Sequence, residues 1–184
     1  NRAGWGDKFD IVHCNDWQTG LLPALLSLEK TPVPSVFTIH NLAYQGNFTR
    51  QVFESLLLPA DWWSLEAVEF YDKISFLKAG LVFSDQLTTV SPCYAKEIVT
   101  PELGCGLQGV LAYYQEKLQG ILNGADYSLW DPRQDHYLIQ RYGIESLVRK
   151  VENQRFLQRT LGLPCNDNVM VIGLVSRLVH QKGV

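Results

Sequence analysis

Asp10-Ile11-Val12-His13-Cys14 and Ser35-Val36-Phe37-Thr38-Ile39 decide the fold, because a helix signal and a double proline stop lie between them. Thr19 can cap a helix running to Leu28, and Pro32 and Pro34 break the chain before the second apolar run. Two short apolar strands joined by a helix form a βαβ unit, the connection that parallel strands require. Further along, Leu87-Thr88-Thr89-Val90 reads as a third strand. Ser91-Pro92 then supplies an N-cap and a proline at the first helical position, opening a helix toward Val99. Gly120-Ile121-Leu122 reads as a fourth strand ending in the turn pair Asn123-Gly124. The stretch from Val52 to Gly80, rich in aromatics, reads as a helical insertion. The predicted class is α/β.

Past Gly124 the chain becomes polar, and Asp126 to Gln134 reads as a connection between two α/β domains. A helix is predicted from about Glu145 to Leu161, with Gly162 as its C-cap and Pro164 beyond it. The run Val169-Met170-Val171-Ile172-Gly173-Leu174-Val175 then reads as the first strand of a second domain. The predicted division is residues 1–124 in a first domain, 125–144 as linker and 145–184 as the start of a second. The chain opens at Asn1 without a basic-then-apolar leader and stops at Val184 where a helix should begin. It therefore reads as an internal portion of a longer protein, and motifs beyond its ends are unobserved.

Composition narrows the function. The chain is 46% hydrophobic and 19% charged, ordinary for a globular protein, and its net charge of −3 without a Lys/Arg cluster disfavours nucleic acid as partner. No apolar run reaches the roughly 18 residues that span a bilayer. Cys14, Cys93, Cys105 and Cys165 lack CxxC pairing and zinc-ligand spacing, so they read as reduced thiols of a cytosolic or stromal protein.

Each predicted strand ends in residues that can bind or catalyse: Asn15 and Asp16, His40 and Asn41, Ser91, Asn123, and then Arg177 and Lys182. In open α/β sheets these ends share the ligand-binding edge. Local pattern alone reads Asp16 equally as a cap for the helix near Thr19 or as a site residue. It reads His40 first as a buried, hydrogen-bonded imidazole, His13 as a packed neutral one and His180 as a loop residue. Asn123-Gly124 reads as a turn, and Trp62, Trp63 and Phe76 as core rather than a carbohydrate platform. Arg177 and Lys182, just past a predicted buried strand, read as a phosphate clamp ahead of a solvated face.

Several stretches together carry a resemblance: Cys14-Asn15-Asp16-Trp17-Gln18-Thr19-Gly20, Phe37-Thr38-Ile39-His40-Asn41-Leu42-Ala43-Tyr44-Gln45-Gly46, Ser75-Phe76-Leu77-Lys78-Ala79-Gly80, Thr89-Val90-Ser91-Pro92, Gly104-Cys105-Gly106-Leu107, Ile121-Leu122-Asn123-Gly124 and Ser176-Arg177-Leu178-Val179-His180-Gln181-Lys182-Gly183. In this order they resemble the glycogen/starch synthases that use ADP-glucose. The resemblance implies two Rossmann-like domains of the GT-B type and a retaining transfer of glucose from ADP-glucose to the non-reducing end of an α-1,4-glucan. It implies neither metal nor other cofactor, and no nucleic-acid or membrane partner. Carried over by position, Arg177 and Lys182 bind the diphosphate and stabilise departing ADP, and His40 and Asn41 sit against the transferred glucose. Asp16 lies in the sugar-side crevice, and Asn123 makes polar contacts near the domain junction.

A Lys-x-Gly-Gly-Leu loop and a Glu-containing motif of that family fall outside these 184 residues, so the piece alone is expected to be inactive. Asn15 and Gln18 stand where many relatives have His. The short connection from Lys30 to Ser35 looks bacterial rather than plant-like, which implies a cytoplasmic enzyme, or a stromal one in a photosynthetic eukaryote. Two alternatives remain at this stage: a two-domain enzyme using UDP-glucose or another nucleotide sugar, and a glucan-binding paralogue without catalysis. A nicotinamide dehydrogenase is disfavoured, because no visible strand-to-helix turn carries GxGxxG.

Overall fold

The computed structural model describes residues 9–30, 32–179 and 182–183. The chain divides into two compact units, Asn1–Asn123 and Gly124–Val184. In chain order, the first carries β1 (Val12–Asn15), α1 (Leu21–Ser27), β2 (Ser35–Ile39), β3 (Asn47–Phe48), α2 (Arg50–Ser55), β4 (Ile74–Ser75), α3 (Phe76–Phe83), β5 (Gln86–Thr89), α4 (Pro92–Glu97), α5 (Gln108–Tyr113) and β6 (Leu118–Gly120).

Strands β1, β2, β5 and β6 form one parallel sheet in that order. Because the order runs monotonically and parallel crossovers are right-handed, the connecting helices gather on one face. Alternation along the strands sends Cys14, Phe37, Ile39 and Leu87 into that face. There they pack with Leu77 and Leu81 of α3 and with Ile98, Leu107 and Leu111. Side chains of the opposite parity form a polar face, on which the Thr38 hydroxyl lies 2.7 Å from His13 Nε2 and 2.5 Å from Thr88 Oγ1. His13 is exposed, not packed as predicted, because the strand's parity turns it away from the helices.

The helix predicted to run from a Thr19 cap to Leu28 forms, but its cap position is Gly20. A 3₁₀ turn covers Trp17–Thr19, and α1 starts only after Gly20. Gly20 sits so close to α3 that a Cβ there would lie 2.0 Å from the Phe76 carbonyl oxygen. The fourth strand lies at Leu118–Gly120, upstream of the apolar pair Ile121-Leu122. Its partner β5 ends at Thr89, whose carbonyl accepts the Ile121 N–H at 2.8 Å as the last bond along this edge, and Ser91 then caps α4 by accepting the Tyr94 N–H at 2.9 Å.

The insertion is not purely helical, since β3 and β4 form a short antiparallel ladder. Beside it Ala24, Phe53, Trp62, Val68 and Ile74 form a second core, against which Trp63 and Phe76 pack, as expected of these aromatics. Lys78 on α3 is buried. Its ammonium donates to the Leu65 carbonyl at 2.6 Å and the Glu69 carbonyl at 2.5 Å, and burial pushes its pKa down.

In the second unit, residues 124–143 form turns. The Asp126 carboxylate accepts the Ser128 N–H and hydroxyl, and the two oxygens of Asp131 accept Arg133 Nε–H at 3.0 Å and Nη2–H at 2.8 Å. A 3₁₀ segment, Ile144–Arg149, leads into α6 (Lys150–Thr160). Gly162, at φ 67°, closes the helix as predicted: Leu163 N–H donates to Gln158 O at 2.8 Å and Gly162 N–H to Arg159 O at 3.2 Å.

The predicted strand Val169–Val175 does not form. A parallel strand exists only by pairing, and the described residues of this unit contain no other strand. Met170, Ile172 and Leu174 are exposed instead.

Candidate functional site

Because the four strands are parallel, their carboxyl ends reach one edge of the sheet. That edge opens a cleft of about 280 Å³ whose lining includes His13, Asn15, Thr38, His40, Thr88 and Asn123. Topology thus brings together Asn15, His40 and Asn123, which lie far apart in sequence. His40 is exposed there, which overturns the reading of a buried imidazole: β2 ends at Ile39, and the ring stands past the last inward-facing position.

Asp16 explains how that strand end is held. Its carboxylate Oδ1 accepts the backbone N–H of His40 at 2.8 Å and that of Asn41 at 3.4 Å. It makes no side-chain cap to the following helical turn, so the capping reading fails. Asp16 adopts φ 54° and ψ −178°, a conformation almost reserved for glycine that costs a non-glycine residue about 1–3 kcal/mol. Two charge-assisted acceptances from orphan N–H groups at a strand terminus offset this strain.

The neighbouring residue grips the same strand end by its ring, with Asn15 Oδ1 lying 3.0 Å from His40 Nε2. Asn15 is itself fixed by the Thr19 hydroxyl, which accepts the Asn15 N–H at 2.6 Å and donates to the Asn15 carbonyl at 2.8 Å. Thr19, predicted as a helix cap, instead serves β1.

The loop after His40 has further supports that sequence reasoning missed. The Asn41 side-chain oxygen accepts the Ala43 N–H at 3.1 Å. The Tyr94 hydroxyl, whose pKa burial pushes up, accepts the Leu42 N–H at 3.2 Å, and the Gln45 amide donates to the Cys105 carbonyl at 2.8 Å. Gln45 and Cys105 lie in stretches that carry the family resemblance, but nothing in the sequence joins them to each other or Tyr94 to Leu42.

Arg177 and Lys182 belong to the second unit, where both are exposed. Backbone bonds from Val179 N–H to Arg177 O and from Lys182 N–H to Val179 O tighten the turn that carries them. His180 and Gln181 lie outside the described residues. Among the described residues no group of three or more His, Cys, Asp or Glu is placed to hold a metal ion. No described helix is long and apolar enough to cross a membrane.

A parallel α/β sheet whose polar strand ends converge on an open cleft is the arrangement in which doubly wound folds bind small ligands. Residues 1–113 match the family described as the starch synthase catalytic domain. Glycogen synthase 2 of Nitrosococcus oceani is 57% identical over 175 residues, covering 95% of this chain and 36% of the relative. Glycogen synthase 1 of Methylococcus capsulatus is 53% identical across 100% of this chain and 37% of its own length. Among solved structures, the catalytic domain of starch synthase IV from Arabidopsis thaliana, bound to ADP and acarbose, matches with a TM-score of 0.77 at 34% identity. That match covers 86% of this chain and 34% of the other. The chain belongs to the starch synthase catalytic-domain family. It spans little more than a third of the length of the curated relatives it matches.

Proposed function

We propose that the complete protein is a retaining glycosyltransferase that moves glucose from ADP-glucose to the non-reducing end of an α-1,4-glucan, in the cytoplasm of a bacterium. The observation that carries this reading is the Asp16-held strand end His40–Asn41, at the open edge of the sheet of a chain 57% identical to a glycogen synthase. That the Arabidopsis relative was solved with ADP and acarbose supports a nucleotide and a glucan as ligands.

Breaking the bond between glucose and ADP leaves negative charge on the departing phosphate oxygen and positive character on the sugar ring. Fixed cations at the first position lower the barrier most. Arg177 takes that role with bidentate donation to the diphosphate, and Lys182 with a mobile point charge. His40 and Asn41 bind hydroxyls of the transferred glucose, and Asn123 adds a polar contact at the same edge. Asp16 acts through the backbone of His40 and Asn41 and is a positioning residue.

The test supplies the complete protein with glycogen and with labelled ADP-glucose or UDP-glucose. Incorporation from ADP-glucose well above that from UDP-glucose is expected. A preference for UDP-glucose overturns the donor assignment, and no incorporation from either leaves a glucan-binding protein.

A further inference from the structure

His40 presents two ring nitrogens, and a neutral imidazole carries a proton on only one of them. Which one is decided by what each faces, because an acceptor opposite one nitrogen places the N–H there and leaves the other as a lone pair. Here the Asn15 amide is placed with its oxygen toward the ring, 3.0 Å from Nε2. A carboxamide oxygen only accepts. With the amide in this orientation the contact is a hydrogen bond when Nε2 carries the proton, which leaves Nδ1 as the acceptor of the ring.

Both partners of this exposed pair are held at their backbones. Asn15 pairs with Thr38 in the parallel ladder, and Thr19 engages both its N–H and its carbonyl. His40 is tied at its own N–H by Asp16. Adjacent residues at the end of one strand thus hold a single residue at the end of the next, Asp16 by the backbone and Asn15 by the ring. The first contact sets where the imidazole stands, and the second sets which face of its chemistry is offered.

We propose that Asn15 is a positioning residue that fixes His40 as the Nε2–H tautomer, so that Nδ1 meets the bound sugar as a hydrogen-bond acceptor from a hydroxyl. The inference rests on the reading of His40 as a sugar contact, yet the tautomer itself requires no turnover to be observed. This keeps the two claims separable. If ring protonation follows Asn15 while the protein transfers no glucose, the functional reading fails and the tautomer control stands.

The experiment labels the four histidines with ¹⁵N in the complete protein and records long-range ¹H–¹⁵N correlations above the pH range where imidazole titrates. A His40→Gln variant identifies the His40 signals. Wild type is expected to show His40 protonated at Nε2. Asn15→Leu should give a mixture of tautomers, and Asn15→Asp, whose carboxylate also only accepts, should restore the Nε2–H form. In parallel, Asn15→Leu should lower kcat roughly 10- to 100-fold, with the KM for the donor and the melting temperature little changed. Asn15→Asp should recover much of that loss. A wild-type ring protonated at Nδ1, or an Asn15→Leu ring unchanged from wild type, overturns the proposal. A kcat loss in Asn15→Leu that tracks a fall in melting temperature does so too.

Discussion

The carboxylate of Asp16 accepts the backbone N–H of His40 at 2.8 Å while Asp16 itself sits at φ 54°, on the glycine side of the backbone map. Strain and hydrogen bond are opposed in one residue, and substitution separates them. Asp16→Gly relieves the backbone and Asp16→Ala does not, so the glycine variant should be the more stable by about 1 kcal/mol in thermal unfolding. Both lose the carboxylate that places His40 and Asn41. Glucose transfer by the complete enzyme should therefore fall about 100-fold in each. Such a split between stability and turnover is what a positioning role demands.

Lys78 ties the insertion to α3. Its buried ammonium is shared by two carbonyls, those of Leu65 and Glu69. Lys78→Met keeps the apolar stem but strands both oxygens, so stability should drop by about 2–4 kcal/mol. Chemical denaturation read by tryptophan fluorescence checks this, since Trp62 and Trp63 belong to the insertion's core.

Arg177 and Lys182 are both exposed, so neither should matter to folding. Replacing either by Ala in the complete enzyme should leave the melting temperature within a degree or so and lower kcat by about 10²–10³. Steady-state kinetics with ADP-glucose provides the comparison.

Asp131 gives the second unit an acid-sensitive anchor. Hydrogen bonds from the Arg133 side chain, then from the Arg133 N–H, hold its carboxyl below the usual carboxylate range. The folded form thus holds the proton less tightly than the unfolded one. The contribution is complete above the ordinary carboxylate pKa and disappears as pH falls through the lowered folded value. Asp131→Asn should therefore lessen the loss of stability on acidification from about pH 7 to about pH 3, measured by circular dichroism of the isolated 184-residue chain.

Much of this architecture was legible in the sequence because local chemistry marks it. Pro34 ahead of Ser35 set the start of β2, Ser91-Pro92 opened α4, and Gly162 closed α6. Val169–Val175 failed for a different reason: composition says only that a run is fit for a strand, whereas a neighbour makes it one. The same limit hid the contact between Asn15 and His40. Nothing near either residue names the other, and only the register pairing Asn15 with Thr38 sets them side by side. Asp16 was legible as a polar strand end. Its strained backbone was not, because glycine is the residue that such a conformation ordinarily calls for.

The central claim is that His40 meets the sugar rather than serving the core, and the most direct measurement is kcat of the complete enzyme carrying His40→Ala, with its melting temperature taken alongside. Because the ring is exposed, the melting temperature should hold while turnover falls by about 10²-fold or more. Near-normal turnover together with a clear loss of thermal stability would contradict the account.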